Sequence, residues 1–335
     1  MSPEPSGDFP DLGSSAGALG LDAVEQTADG RFRAGRGGVR AVGRTRDRKL
    51  EWVGMETGTL ARVDSSMGYP AYYPVPPLRE EKVSAVLMDL DGTTVHSEAF
   101  WIWMIQLSLA SLLDRPAFEL EEADLPFISG HSVSEHLQYG IRKYCPDRSL
   151  EEARDFYFTH TRREMKKILE GTGRTGAFAP APGVKEFLLA LKAGGIRIGL
   201  VTSGLHEKAW PEIVDAFRVM KLGNPLDFYD AIMTAGHMPG RGEAGTLGEL
   251  CPKPHPWLYA ETARVGLGIS FEARGSVVGI EDSAAGIYSI RLAGFTPLGI
   301  TGGNLYDGGA DRFCTKICSD FPSLLQRIHH LADSL

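Results

Sequence analysis

A short run of apolar and small residues, Val83 to Met88, breaks off into Asp89-Leu90-Asp91-Gly92-Thr93. A run that short and rich in branched side chains predicts a strand buried on both faces, as in a parallel sheet. Two carboxylates two residues apart at its carboxyl end are costly to place there without a cation or a chemical task. Gly92 lets the chain turn sharply and approach a ligand closely. In open α/β sheets that end of the strands is where ligands bind. The stretch from Val83 to Glu98 is therefore the one around which the rest of the chain must be arranged, and its acid pair points to phosphoryl chemistry.

Three more segments supply groups that such chemistry needs. Ile196 to Thr202 is a second apolar strand ending in a hydroxyl and followed by Ser203-Gly204. Lys253 stands in a proline-rich loop, Cys251 to Pro256, just before a helix. Ser276 to Ile280 is another buried strand, ending in Glu281-Asp282 and then Ser283-Ala284-Ala285-Gly286. With these four motifs in this order, the chain from Lys82 onward resembles the haloacid dehalogenase-like hydrolase superfamily. The resemblance implies an α/β fold: a Rossmann-like, doubly wound parallel sheet core with an inserted all-helical cap domain that closes over the site and chooses the substrate.

A carboxylate can attack phosphorus and split a hard hydrolysis into two easier steps, which makes Asp89 the candidate nucleophile. Asp91 would protonate the leaving alkoxide and then take a proton from the hydrolytic water. Magnesium (Mg2+) suits an oxygen-only ligand set. The resemblance implies its ligation by Asp89, the backbone carbonyl of Asp91 and Asp282, with Glu281 direct or through water. It also implies that Thr202, helped by the Ser203 amide, bonds a phosphoryl oxygen, and that Lys253 screens the charge between Asp89 and the phosphate. Gly92, Thr93, Ser203 and Gly204 complete the expected substrate-binding turns. Plainer readings exist for each group: a lone Thr or Lys at a strand end is often a cap or a surface charge, and Glu281-Asp282 would suit the start of a helix over 283–293.

Departures from the family pattern bear on the substrate. Relatives often carry an apolar residue and Asp where this chain has Thr94 and His96, so His96 is a candidate contact to the leaving group. Sugar-phosphate mutases of the superfamily grip a second phosphate with a cap-loop arginine; the corresponding loop here, Gly130 to Glu135, has Val133. That lowers the mutase reading and leaves His131 and Ser132 as candidate specificity residues. Dehalogenases and phosphonate-cleaving members lack the second aspartate, and Asp91 is present. The expected activity is Mg2+-dependent hydrolysis of a small phosphomonoester, a phosphorylated metabolite, through an aspartyl-phosphate. The alternatives are a β-phosphoglucomutase-like mutase and a non-catalytic binding relative.

The expected organisation follows. Residues 1–54 are rich in Gly, Ser and Arg, with eight basic residues and one acid, Asp47, between Arg31 and Lys49; they read as a disordered tail, with Met55 as an alternative start. Residues 55–81 read as an extended, packed Pro/Tyr-rich leader. Residues 82–96 and 182–335 make the core and 97–181 the cap. In the cap, helices are expected over 97–114 with Ser97 as its cap, from Ser132 to near Tyr144, and over 149–170. Ser132 with Glu135 and Ser149 with Glu152 form capping boxes, and Gly171 to Gly176 reads as a hinge-side return. Core strands are expected at 196–202, near 229–234, at 276–280 and, last, at 295–301, with a Gly-rich loop over 235–252 and a terminal helix over 320–333.

A net charge of −8 argues against a general nucleic-acid binder. The N-terminus lacks the apolar core of a signal peptide. The longest apolar stretch, Phe100 to Leu113, falls short of the roughly 20 residues that span a bilayer. Cys145, Cys251, Cys314 and Cys318 lack zinc-site spacing and read as reduced thiols in a cytoplasmic setting.

Overall fold

The computed structural model describes residues 8–64, 70–79, 81–127, 133–174, 176–236 and 251–333. The chain divides into two compact units, Met1–Thr94 with Ala181–Ala209 and Pro225–Leu335, and Val95–Pro180 with Trp210–Asn224.

The first unit opens with a sheet where a disordered tail was expected. Strands β1 (Asp22–Val24), β2 (Val39–Arg44), β3 (Leu50–Met55), β4 (Gly58–Val63) and β5 (Ala71–Pro74) pair antiparallel in that order. The basic residues that suggested a solvated arm are partly consumed inside this sheet. Arg44 of that basic run, and Arg62 beyond it, both reach the Glu51 carboxylate, at 2.5 and 3.0 Å, and Glu51 is only 2% exposed. Alternation along β3 sends Leu50 and Trp52 to one face and Val53 to the other. Trp52 is wholly buried; its ring stacks on Phe313 at 5.2 Å and meets Tyr288 edge-on at 6.4 Å. Val39, Val42 and Val53 form a small second cluster. A chain starting at Met55 would lack Trp52 and all of β3 but its last residue. The 55–81 leader likewise contributes strands, β4 and β5, to this sheet.

Next come β6 (Ala85–Asp89), β7 (Val95–His96), α1 (Glu98–Leu112), α2 (Val133–Tyr144), α3 (Leu150–Leu169) and β8 (Ala179–Pro180). Then follow α4 (Val184–Ala193), β9 (Arg197–Val201), α5 (His206–Met220), α6 (Pro225–Phe228), β10 (Ala231–Met233) and α7 (Trp257–Glu261). The chain finishes with β11 (Val277–Glu281), α8 (Ala284–Ala293), β12 (Thr296–Ile300), β13 (Lys316–Cys318) and α9 (Phe321–Asp333). The core sheet runs β10-β9-β6-β11-β12-β13, every pair parallel. It has one strand more than expected, because β13 adds an edge beyond β12. All residues of β6 and β11 are buried, as strands covered on both faces must be. The register pairs Asp89 with Val201 and Met88 with Ile280. The carboxyl ends of β9, β6 and β11 therefore lie side by side.

In the second unit α1, α2 and α3 pack together. Ser149 caps α3 with both halves of a capping box present. Ser97 makes no capping bond to α1, because it holds helical dihedrals instead of the extended ones a cap needs. The unit is not wholly helical: β7 and β8 pair antiparallel through Val95–Pro180 and His96–Ala179. The glycine run begins by terminating α3, with the amides of Gly171 and Gly173 bonded to the carbonyls of Ile168 and Lys167. Asp124 is buried and accepts hydrogen bonds from Lys143, Tyr139 and Tyr144. Burial opposes the charge, but these donors prevail and hold its carboxyl down at about 2. The Ser132–Glu135 capping box and most of the 235–252 loop lie outside the described residues, as do His131 and Ser132. The four cysteines are free. Among the described residues no helix is long and apolar enough to cross a membrane.

Candidate active site

The neighbouring ends of β6, β9 and β11 bring three of the four sequence motifs together, and the proline-rich loop brings the fourth. Asp89 ends β6 and is 6% exposed. Lys253 reaches across from the loop before α7. Its ammonium donates to Asp89 Oδ1 at 2.5 Å and to Glu281 Oε1 at 2.6 Å. No hydrogen bond among the described residues occupies Asp89 Oδ2. Carboxylate oxygens of Asp89, Glu281 and Asp282 lie within 4.8 Å of one another.

Such crowding has an electrostatic signature. Burial and then the Glu281 charge push the Asp89 carboxyl well above its ordinary range, against the pull of Lys253. Burial and Glu281 also push Asp282 up to about 7. Burial disfavours the Lys253 ammonium, but Asp89 and Glu281 outweigh it and raise its pKa. One buried cation thus serves several buried carboxylates. That imbalance, in an all-oxygen donor set, is what a divalent cation such as Mg2+ would relieve.

Each acid has its own support. Thr93, expected among the substrate-binding residues, is buried and donates to Asp282 Oδ1 at 3.3 Å, so its hydroxyl steadies an acid. Gly92 has φ +81°, and a Cβ there would fall 2.2 Å from Asp282 Oδ2. Only glycine leaves Asp282 its place. Glu281 is fully buried; it accepts from Tyr259 Oη at 2.9 Å and Ser283 Oγ at 2.8 Å. A Cβ on Gly286 would collide with its carboxyl carbon at 1.8 Å. The helix-capping explanation of the acid pair fails, since Ser283 is the residue that caps α8, accepting from the Gly286 amide.

Thr202 is buried just past β9, and its Oγ1 accepts from the Gly204 amide at 2.9 Å, which leaves its own proton to donate. Ser203 Oγ accepts from the Lys253 amide at 3.2 Å and so ties the β9 turn to the lysine loop. His96 is exposed on β7 in the second unit. Three contributors were not singled out from the sequence, and a fourth, Thr94, stood out only as a departure from the family pattern. Thr94 donates to the Asp89 carbonyl at 2.5 Å, and Tyr259 and Ser283 hold Glu281. Lys208 lies 3.4 Å from Asp91 Oδ1. Of the other three only Lys208 left a trace in sequence, as a cation in the first turn of the helix after the Thr202 strand end.

The chain is similar to known proteins. A family model described as haloacid dehalogenase-like hydrolase matches residues 83–294. A phosphoglycolate phosphatase of Nitrosospira multiformis is 25% identical over 201 residues, 56% of this chain and 70% of its own length. The crystal structure of a protein described as a predicted phosphoglycolate phosphatase from Haemophilus somnus superposes with a TM-score of 0.53 at 20% identity, covering 74% of this chain and 99% of that one. A mutant CbbY of Rhodobacter sphaeroides in complex with xylulose-(1,5)bisphosphate superposes with a TM-score of 0.50 at 20% identity, over 72% of this chain and 96% of that one.

Proposed function

Because the chain belongs to the haloacid dehalogenase-like hydrolase family, we propose that it is an Mg2+-dependent phosphatase of a small phosphomonoester. One observation carries the reading: the Lys253 ammonium is wedged between Asp89 and Glu281, with Asp282 alongside. A structural protein gains little from burying three acids around one cation.

In this reading Asp89 attacks phosphorus through Oδ2 while Lys253 holds Oδ1. The P–O bond to the leaving group breaks, and Asp91 gives its proton to the departing alkoxide. The products of this half are the alcohol and an aspartyl-phosphate. Asp91 then takes a proton from water as that water attacks phosphorus, freeing Asp89 and inorganic phosphate. Thr202 donates its hydroxyl proton to a phosphoryl oxygen, and Lys253 balances the anionic charge. Asp89, Asp282, Glu281 and the Asp91 carbonyl would hold the metal ion, which when bound supplies positive charge to the phosphoryl oxygens.

Lys208, beside Asp91, would stand near the leaving oxygen. A cation there suits a leaving group that carries its own negative charge, as glycolate does, and a phosphoglycolate phosphatase is among the relatives. The test is phosphate release from a panel of phosphomonoesters that includes phosphoglycolate, with Mg2+ and with EDTA. Release that needs Mg2+ is expected. Isomerised sugar phosphates without free phosphate would instead identify a mutase. Tight ligand binding without turnover would identify a binding relative.

A further inference from the structure

The family match begins at residue 83, so the N-terminal antiparallel sheet lies outside it. That sheet nevertheless touches the loop that carries Lys253. Tyr73, on edge strand β5, places its hydroxyl 2.8 Å from His255 Nδ1 and accepts from Trp257 Nε1 at 3.1 Å. The Tyr73 and His255 rings meet edge to face, 5.8 Å apart at 81°. These contacts fix the chain just after the lysine: His255 is two residues beyond Lys253, and Trp257 opens α7.

The proton count makes the contact directional. An indole N–H can only donate, so the Tyr73 oxygen accepts from Trp257, and its own proton is free to be donated to His255 Nδ1. With Nδ1 accepting, His255 is a neutral imidazole that carries its proton on Nε2. Burial lowers the His255 pKa in the same sense. The far side of the loop is pinned by Ser289 of α8, whose hydroxyl donates to the His255 carbonyl at 2.6 Å.

The sheet is itself fixed to α8. Arg291, almost wholly buried, donates to the carbonyls of Pro76 at 2.6 Å and Asp11 at 2.7 Å. Helix α8 starts directly after Asp282. The lysine loop is therefore held between a helix anchored at the acid pair and a strand anchored to that helix.

We propose that the N-terminal sheet is part of the catalytic apparatus, and that Tyr73 is a positioning residue that holds the Lys253 loop in register with Asp89 through His255 and Trp257. The inference rests on the reading of Lys253 as a catalytic residue. A displacement of about 1 Å at a charge-stabilising group can cost on the order of 100-fold in rate, so a partly loosened loop should be visible in turnover.

The experiment compares full-length wild type, Tyr73→Phe, Lys253→Ala and the double variant with Mg2+ and the best substrate of the panel. Tyr73→Phe keeps the ring and removes only the hydroxyl. It is expected to lower kcat about tenfold, with KM within about twofold and the unfolding midpoint nearly unchanged. In the Lys253→Ala background the same change should have no further effect, because Tyr73 acts through the lysine. Unchanged kcat in Tyr73→Phe, or the same factor lost in both backgrounds, would overturn the proposal. Should Tyr73→Phe fail to fold, Trp257→Phe removes one of the two hydrogen bonds and is expected to give a smaller fall with the same coupling; its absence overturns the proposal equally. A wild type that releases phosphate, with Lys253→Ala as active as wild type, would instead sink the role given to Lys253, and the inference with it.

Discussion

The two sheets of the first unit handle charge in opposite ways. In the antiparallel sheet, opposite charges meet: Glu51 with Arg44 and Arg62, and Asp29 with Arg62. Burial works against the Asp29 carboxylate, yet the hydroxyls of Thr27 and Tyr72 hold its pKa below the ordinary value. At the carboxyl edge of the parallel sheet, like charges meet, and the Asp89 and Asp282 carboxyls are pushed up. Charge that is neutralised internally supports a fold. Charge that is gathered unbalanced marks a place where something else must bind.

The contrast can be broken experimentally. Asp89→Asn should abolish activity, by about 10⁴-fold or more, as loss of a nucleophile does. Its unfolding midpoint should match or exceed that of wild type, since a crowded buried charge has been removed; a large drop in stability would show that Asp89 is a structural acid. Trp52→Ala should do the reverse, costing about 3–5 kcal/mol in denaturant unfolding while the folded fraction loses far less kcat than Asp89→Asn. Lys253→Met should reduce kcat about 10²- to 10³-fold with a smaller change in KM, measured by steady-state phosphate release.

A more gradual effect concerns pH in EDTA. Asp282 has a folded pKa of about 7 against a reference of 3.8, so below pH 7 the folded protein binds a proton that the unfolded chain does not yet hold. Stability should therefore fall as pH rises from near 4 to near 7, by up to about 1.4 kcal/mol per unit. Saturating Mg2+ should flatten that slope, as followed by thermal unfolding. An identical slope with and without the ion would argue that the acids do not share a cation.

The same contrast explains what was legible in sequence. Buried parallel strands are continuous apolar runs, and their polar ends announce themselves: Asp89, Thr202 and Glu281-Asp282 could be read in order. Strand β13, Lys316 to Cys318, is too short to stand out. The N-terminal strands are short and interrupted by Arg and Gly, and their acids pair with arginines on neighbouring strands, as Glu51 does with Arg62, its partner across β3 and β4. The visible signal was the pair of alternating runs Leu50–Met55 and Gly58–Val63 joined by two residues, a hairpin pattern. It was outweighed by the basic composition between Arg31 and Lys49. The supports of the site were illegible for another reason: Tyr259, Ser283 and Tyr73 act through contacts that only the fold creates.

In the proposed mechanism Asp89 carries the phosphoryl group. The most direct measurement is an acid quench of the working enzyme with its best substrate, then borohydride reduction, which converts a phosphorylated aspartate to homoserine, and peptide mass spectrometry. Homoserine at position 89 in wild type, and none in Asp89→Asn, is the expected result. Phosphate release without any modification at Asp89, or with the label on another residue, would contradict the mechanism.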